Sequence, residues 1–241
     1  MKLFRNSLLL MGVLSAFGWF LLRNISFLAL LPLIPLGIGG YFLNRFEGKR
    51  LIWFNGIFTI ITTIIICMVV AVGVFEGHGF FMLIFLMLFC ALIAVKIDSS
   101  EWARIAGWWM TVFLFAFLFM VVATAFGMER SEISLECGAW GDILIFYVLA
   151  LGEPFVMGKK YRAAPLGLGI LLIPFALFSY LALGAGAFCA SEFPYLSVLS
   201  GVSLASFHHL EGIFLCLLFG AGIFRFANFM IRCRSYFKKE R

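Results

Sequence analysis

The stretch Leu51–Phe75, LIWFNGIFTIITTIIICMVVAVGVF, runs for 25 residues without one charged side chain. As a helix it would measure about 37 Å, longer than the roughly 30 Å hydrocarbon core of a bilayer. Arg45, Lys49 and Arg50 stand just before it and Glu76 just after it. A continuous apolar run of this length, bounded by charge, reads as a membrane-spanning helix and not as a buried helix of a water-soluble domain. The short alternating strands of a transmembrane barrel do not match it.

The rest of the chain repeats the pattern. Of its 241 residues 64% are hydrophobic and 12% charged, whereas soluble domains carry about 25% charged residues. So little polar surface cannot clothe a water-facing globule. Apolar stretches fall near Ser7–Leu22, Ser26–Leu43, Leu51–Phe75, Gly79–Val95, Ile105–Gly127, Gly138–Phe155, Pro165–Phe188 and Phe207–Ile231. They predict an all-α, polytopic membrane bundle of about eight transmembrane helices forming a single integral membrane domain over residues 1–241. The first two stretches are short and separated only by Arg23-Asn24-Ile25, so they form a tight hairpin or one of them is re-entrant.

Threading eight spans places 15 of the 18 Lys and Arg residues on one face, leaving Arg23 and Arg130 opposite and Arg225 inside the last span. The positive-inside rule then puts both termini in the cytoplasm of a bacterial cell, or on the corresponding side of an inner spore membrane. The net charge of +6 follows from topology, and nucleic acid is not a partner. Lys2 and Arg5 resemble the basic region of a signal peptide, but no small-x-small cleavage site precedes Arg23, and the first stretch reads as a retained helix.

Ionisable residues within spans are functional candidates by default because hydrocarbon penalises them. Four qualify: Asp142, Glu153, Glu211 and Arg225. Asp142 and Glu153 are eleven residues apart, close to three helical turns, so both occupy one face of the sixth span. That face lines a polar cavity, or it carries one charge at each interface. Arg225 is placed to extend its guanidinium to the inner headgroups. In Leu151-Gly152-Glu153-Pro154 the proline removes a backbone donor and the glycine adds freedom, so the sixth span is predicted to stop or unwind there. Gly37-Ile38-Gly39-Gly40 and Gly184-Ala185-Gly186-Ala187 offer small faces for close helix approach. Trp102, Trp108, Trp109 and Trp140 are expected in interfacial belts.

Six cysteines show no CxxC or metal spacing. Cys67, Cys90 and Cys216 read as packing residues, whereas Cys137 and Cys189 both fall at the outer surface, as a disulfide or as two free thiols. His208-His209-Leu210-Glu211 is not HExxH, and adjacent histidines point to different helix faces. It reads as an interfacial cap, and no metal or other cofactor is expected. Neither a Walker loop nor GxSxG occurs, so enzymatic activity is not expected.

Several segments resemble, in order, the permease-like B subunit of spore germinant receptors, the GerAB type, within the amino acid–polyamine–organocation transporter superfamily. Ser99-Ser-Glu-Trp-Ala-Arg-Ile-Ala106 is similar to the family's opening of its fifth helix. Ala139-Trp-Gly-Asp-Ile-Leu-Ile-Phe146 resembles its sixth, with Asp142 where the family commonly has Glu. Glu153-Pro-Phe155 follows. Phe193-Pro-Tyr-Leu-Ser197 resembles a Pro-Thr-Leu-Ser stretch, and Phe207-His-His-Leu-Glu-Gly-Ile-Phe214 resembles the start of the eighth, with Glu211 on the second of two acids.

The resemblance implies a truncated LeuT-like fold and a small-molecule ligand such as an amino acid. It also implies partner receptor subunits and a ligand site drawn from Gly141, Asp142, Gly152, Glu153 and Glu211. Family members have ten spans and a Gly-rich break in the first. Eight spans and an unbroken first stretch depart from that pattern. Two other functions stay open on the residues alone: a component of an amino acid or solute transporter, and a non-transporting structural or assembly protein of the membrane.

Overall fold

In hydrocarbon every backbone N–H and C=O must be satisfied within the protein, which leaves helices as the solution for long apolar runs such as these. The computed structural model describes residues 8–42, 50–94, 96, 99–126, 139–158, 161–201 and 210–239, and all regular structure among them is helical. A 3-10 turn, Leu8–Gly12, leads into α1 (Leu14–Leu22), and a second, Phe27–Leu30, precedes α2 (Leu33–Phe42). Then come α3 (Arg50–Phe75), α4 (Phe80–Ala94), α5 (Ser99–Phe126), α6 (Trp140–Met157), α7 (Ala164–Leu183), α8 (Ala185–Ala190), α9 (Pro194–Gly201) and α10 (Leu210–Lys239).

Five helices among the described residues are long and apolar enough to cross a bilayer, within α3, α5, α6, α7 and α10. This corrects the expectation of eight. Hydropathy counts apolar residues, but α1 has nine residues and α2 ten, about 14 and 15 Å of helix. The fifteen residues of α4 reach about 22 Å, still short of the roughly 30 Å core. A truncated LeuT-like arrangement falls with the same count, because paired five-helix repeats need more full spans than these.

The short α1 lies at the centre. Eight of its nine residues are buried, and it packs against α3, α6 and α9. Around it α10 lies along α3 and also meets α4 and α5, while α7 packs on α2 and α5. The interior is aromatic. Phe17 of α1 sets its edge against Phe113 (5.6 Å) and Phe117 (5.1 Å) of α5, and Phe214 of α10 stacks on Phe113 at 5.5 Å. Phe20 stacks on Tyr195 at 3.9 Å, and the Tyr195 hydroxyl donates to the Ile25 carbonyl. Burial holds that phenol well above its ordinary range, so it stays a neutral donor. The Asn24 amide donates to the Phe188 carbonyl at 3.2 Å, fixing the end of α1 against α8.

Large apolar side chains cover the outside. Phe81, Phe85 and Phe126 are 83%, 71% and 83% exposed, a surface that lipid accepts and water does not. Trp108 and Trp140 are also exposed, whereas Trp102 is buried and Trp109 half-buried. Trp102 packs on Phe224 with ring centroids 4.7 Å apart. The Trp109 indole N–H donates to the Leu217 carbonyl at 2.8 Å. Its ring lies over Gly220, where a Cβ would stand 2.2 Å from it. Only a glycine on α10 admits that indole.

Gly37 fulfils the close-approach reading, since a Cβ there would meet the Leu166 backbone nitrogen at 2.6 Å, but Gly39 faces open space. Gly184 instead takes φ +77° and ends α7, and Gly186 meets nothing within 4 Å. The Gly184–Ala187 stretch is therefore a helix junction and not a packing face.

Candidate functional site: a buried ion pair joining four helices

Glu153 and Arg225, fully buried at 0% and 1% exposure, form an ion pair across α6 and α10. Arg225 Nε donates to Glu153 Oε1 at 3.1 Å, and Arg225 Nη2 donates to Asn55 Oδ1 of α3 at 2.8 Å. The other carboxylate oxygen, Oε2, accepts from the Ser15 backbone N–H at 3.1 Å and from the Ser15 hydroxyl. Thr62 Oγ1 lies 3.2 Å from Glu153 Oε1 and 2.7 Å from the Phe58 carbonyl, and its single proton serves one at a time. Arg225 Nη1 is buried without a hydrogen-bond partner. The network thus ties α1, α3, α6 and α10 together at one point.

Each element contributes for a local reason. Ser15 has a free N–H because it stands in the first turn of α1, where backbone donors have no intrahelical acceptor. Asn55 and Thr62 are seven residues apart, two turns of α3, and so share a face. Gly152 lets α3 approach α6, since a Cβ there would meet the Phe58 ring at 2.6 Å. Pro154 does not break the helix: α6 continues through it to Met157 and ends at Gly158 with φ +107°. The expected unwinding at Gly152–Pro154 does not occur. Proline removes one backbone donor, and packing against neighbouring helices holds the short remainder of the helix in place.

Arg225 is likewise not extended to the headgroups. Snorkelling needs a lipid-facing or end-of-helix position, and Arg225 faces inward onto a carboxylate. The pairing is the signal that depth along a single helix missed. Glu153 and Arg225 are opposite charges in spans, each lying toward the end that carries Arg232 and Arg234. Ser15, Asn55 and Thr62 had no such signal, being small neutral polar residues in apolar runs.

The common face of Asp142 and Glu153 is real, and it meets α1 running antiparallel. Ser15, Trp19 and Arg23 recur every four residues along α1. Glu153 meets Ser15, the Asp142 carbonyl accepts from Trp19 Nε1 at 3.2 Å, and the Asp142 carboxylate lies 3.5 Å from Arg23 Nε. That outer pair is partly exposed, 44% for Arg23 and 25% for Asp142, and exposed pairs contribute little. Gly141 meets nothing.

Glu211 is placed elsewhere. It lines a recess of about 230 Å³ with Ser197, Ser200, Val72, Phe193 and Leu215, between α3, α9 and α10. The five expected ligand residues are therefore not gathered into one site.

Cys189 is disulfide-bonded, whereas Cys67, Cys90, Cys216 and Cys233 are free. Cys137, His208, His209 and the Glu129–Glu136 tract lie outside the described residues, as do the N-terminal Lys2 and Arg5. No cluster of three or more metal-ligating side chains occurs among the described residues. No protein family, curated protein or solved structure matches the chain.

Proposed function

We propose that the protein is a non-enzymatic, membrane-embedded receptor subunit that binds a small amine-bearing solute such as an amino acid and acts with partner subunits. On this reading the protein works beside spore germinant-receptor components in the cell or inner spore membrane. The observation that supports it is the recess at Glu211. A carboxylate there suits an ammonium group, the Ser197 and Ser200 hydroxyls suit a second polar group, and Val72, Phe193 and Leu215 supply an apolar wall. This division, a few polar groups set in an apolar lining, is common to small-molecule sites.

The interior favours sensing over conduction. Phe17, Phe113, Phe117 and Phe214 fill the space between α1, α5 and α10. The Glu153 carboxylate is committed to partners on three other helices. The same lock favours a second reading, a structural or assembly subunit without a ligand. A transporter component would instead require the lock to open during a cycle.

Thermal shift of the purified protein against a panel of amino acids and amines separates these. A ligand at about 100 times its Kd adds about 2.7 kcal/mol to stability, a rise that Glu211→Gln should abolish and Asp142→Asn should leave. A panel without any hit supports the assembly reading. Solute flux in proteoliposomes supports the transporter reading and overturns this one.

A further inference from the structure

At the end of the bundle that carries Arg232 and Arg234, a groove of about 240 Å³ opens between α2, α6 and α7. Its walls are Pro35, Gly39, Leu151, Phe155 and Pro165, and one wall carries Arg162. Arg162 sits in the turn between α6 and α7, only 4% exposed, with its guanidinium 5.4 Å from the Phe155 ring centroid. The other residues that line the groove with this guanidinium are apolar. Leu36, also part of the lining, is 42% exposed.

The neighbourhood is cationic as well. Arg232 lies over the Tyr161 ring at 5.8 Å and donates from Nη1 to the Met157 carbonyl at 3.1 Å. Lys159 and Lys160 stand three and two positions before Arg162 in the chain.

We infer that this groove binds an anionic phospholipid, with an acyl chain along Pro35, Gly39 and Leu151 and the phosphate on Arg162. The membrane component that joins a long apolar chain to a negative head is the one whose chemistry matches both halves of the groove. A guanidinium fork fits phosphate oxygens two at a time, and basic pockets between transmembrane helices hold such headgroups. A zwitterionic lipid brings its own cation to Arg162 and loses that advantage. Gly39 has open space beside it, because a Cβ added there would meet nothing within 4 Å.

The test is native mass spectrometry of the full chain released from mixed micelles containing equal phosphatidylglycerol and phosphatidylcholine, together with melting curves in each lipid. Wild type should retain phosphatidylglycerol over phosphatidylcholine by about five-fold, the effect of roughly one cation on an anionic lipid. Arg162→Gln should erase the preference. Gly39→Phe, which fills open space and spares the helix contacts, should lose the bound lipid while melting as wild type does. Equal retention of the two lipids by wild type overturns the proposal. So does a Gly39→Phe protein that keeps phosphatidylglycerol, or displacement of the lipid by inorganic phosphate at equal concentration. If Arg162→Gln does not fold, the Gly39→Phe comparison decides alone.

Discussion

Replacing Glu153 by Met should cost more stability than replacing Arg225 by Met, although the two side chains share one ion pair. The structure gives the asymmetry. Without Arg225 the Glu153 carboxylate keeps the Ser15 N–H and hydroxyl on Oε2 and Thr62 near Oε1. A carboxyl group can also take up a proton and become neutral in an apolar site. Without Glu153 the guanidinium keeps one acceptor, Asn55 Oδ1, while Nε joins Nη1 without a partner. A guanidinium cannot shed its charge.

Leaving one member of a buried pair uncompensated costs about 3–5 kcal/mol, which is the expectation for Glu153→Met. For Arg225→Met the residual donors and protonation lower the cost to about 2 kcal/mol, the range for unsatisfied buried polar groups. The double variant removes both charges and replaces them with apolar volume, and should cost about 1 kcal/mol. The coupling between the two sites is then about 4–6 kcal/mol, above the upper end of about 3 kcal/mol for residues in contact. Unfolding by SDS in mixed micelles, followed by tryptophan fluorescence, reads all four proteins. Trp102 and Trp109 pack on Phe224, one residue from Arg225. Additive single-variant costs, or a Glu153→Met cost below that of Arg225→Met, would refute the buried pair as the point where the four helices are joined.

Other perturbations test the packing and the surface. Gly220→Ala places a Cβ 2.2 Å from the Trp109 ring and should destabilise by about 1–3 kcal/mol in the same titration, as overpacking does. Gly141→Ala, in open space, should change nothing beyond a few tenths. Phe115→Arg, on a 57% exposed position near the middle of the full span α5, should reduce membrane insertion by about 2.5–3.5 kcal/mol in a glycosylation-reporter assay. If that face were wet, the change would be neutral. Alkylation of the native protein with a small maleimide should leave Cys189 unmodified until a reductant is added, as peptide mass mapping would show.

The membrane class was legible because it depends on composition and run length, which a sequence displays directly. Leu51–Phe75 and the stretch ending at Ile231 became full spans. Span number was not legible to the same degree, because hydropathy scores Leu14–Leu22 like any other apolar run. Its burial on nearly all sides shows a helix short enough to sit inside the bundle. Its neighbours, not its own length, shield it from water.

The local rule for Gly152-Glu153-Pro154 failed for a related reason. Glycine and proline weaken an isolated helix, but here the missing Cβ admits Phe58 and the helix gains contacts by staying intact. The same limit applied to Arg225. Its depth along one helix suggested the headgroups, whereas its partner came from a helix more than seventy positions away. A lone charge in a span asks which opposite charge lies at the same depth. Among the ionisable residues assigned to spans, Glu153 was the acid lying, like Arg225, toward the end that carries Arg232 and Arg234. Matching sign and depth across spans, before assigning any intramembrane charge to the headgroups, would have found the pair from sequence alone. It would not have found Ser15 or Asn55, whose role exists only because four helices converge on them.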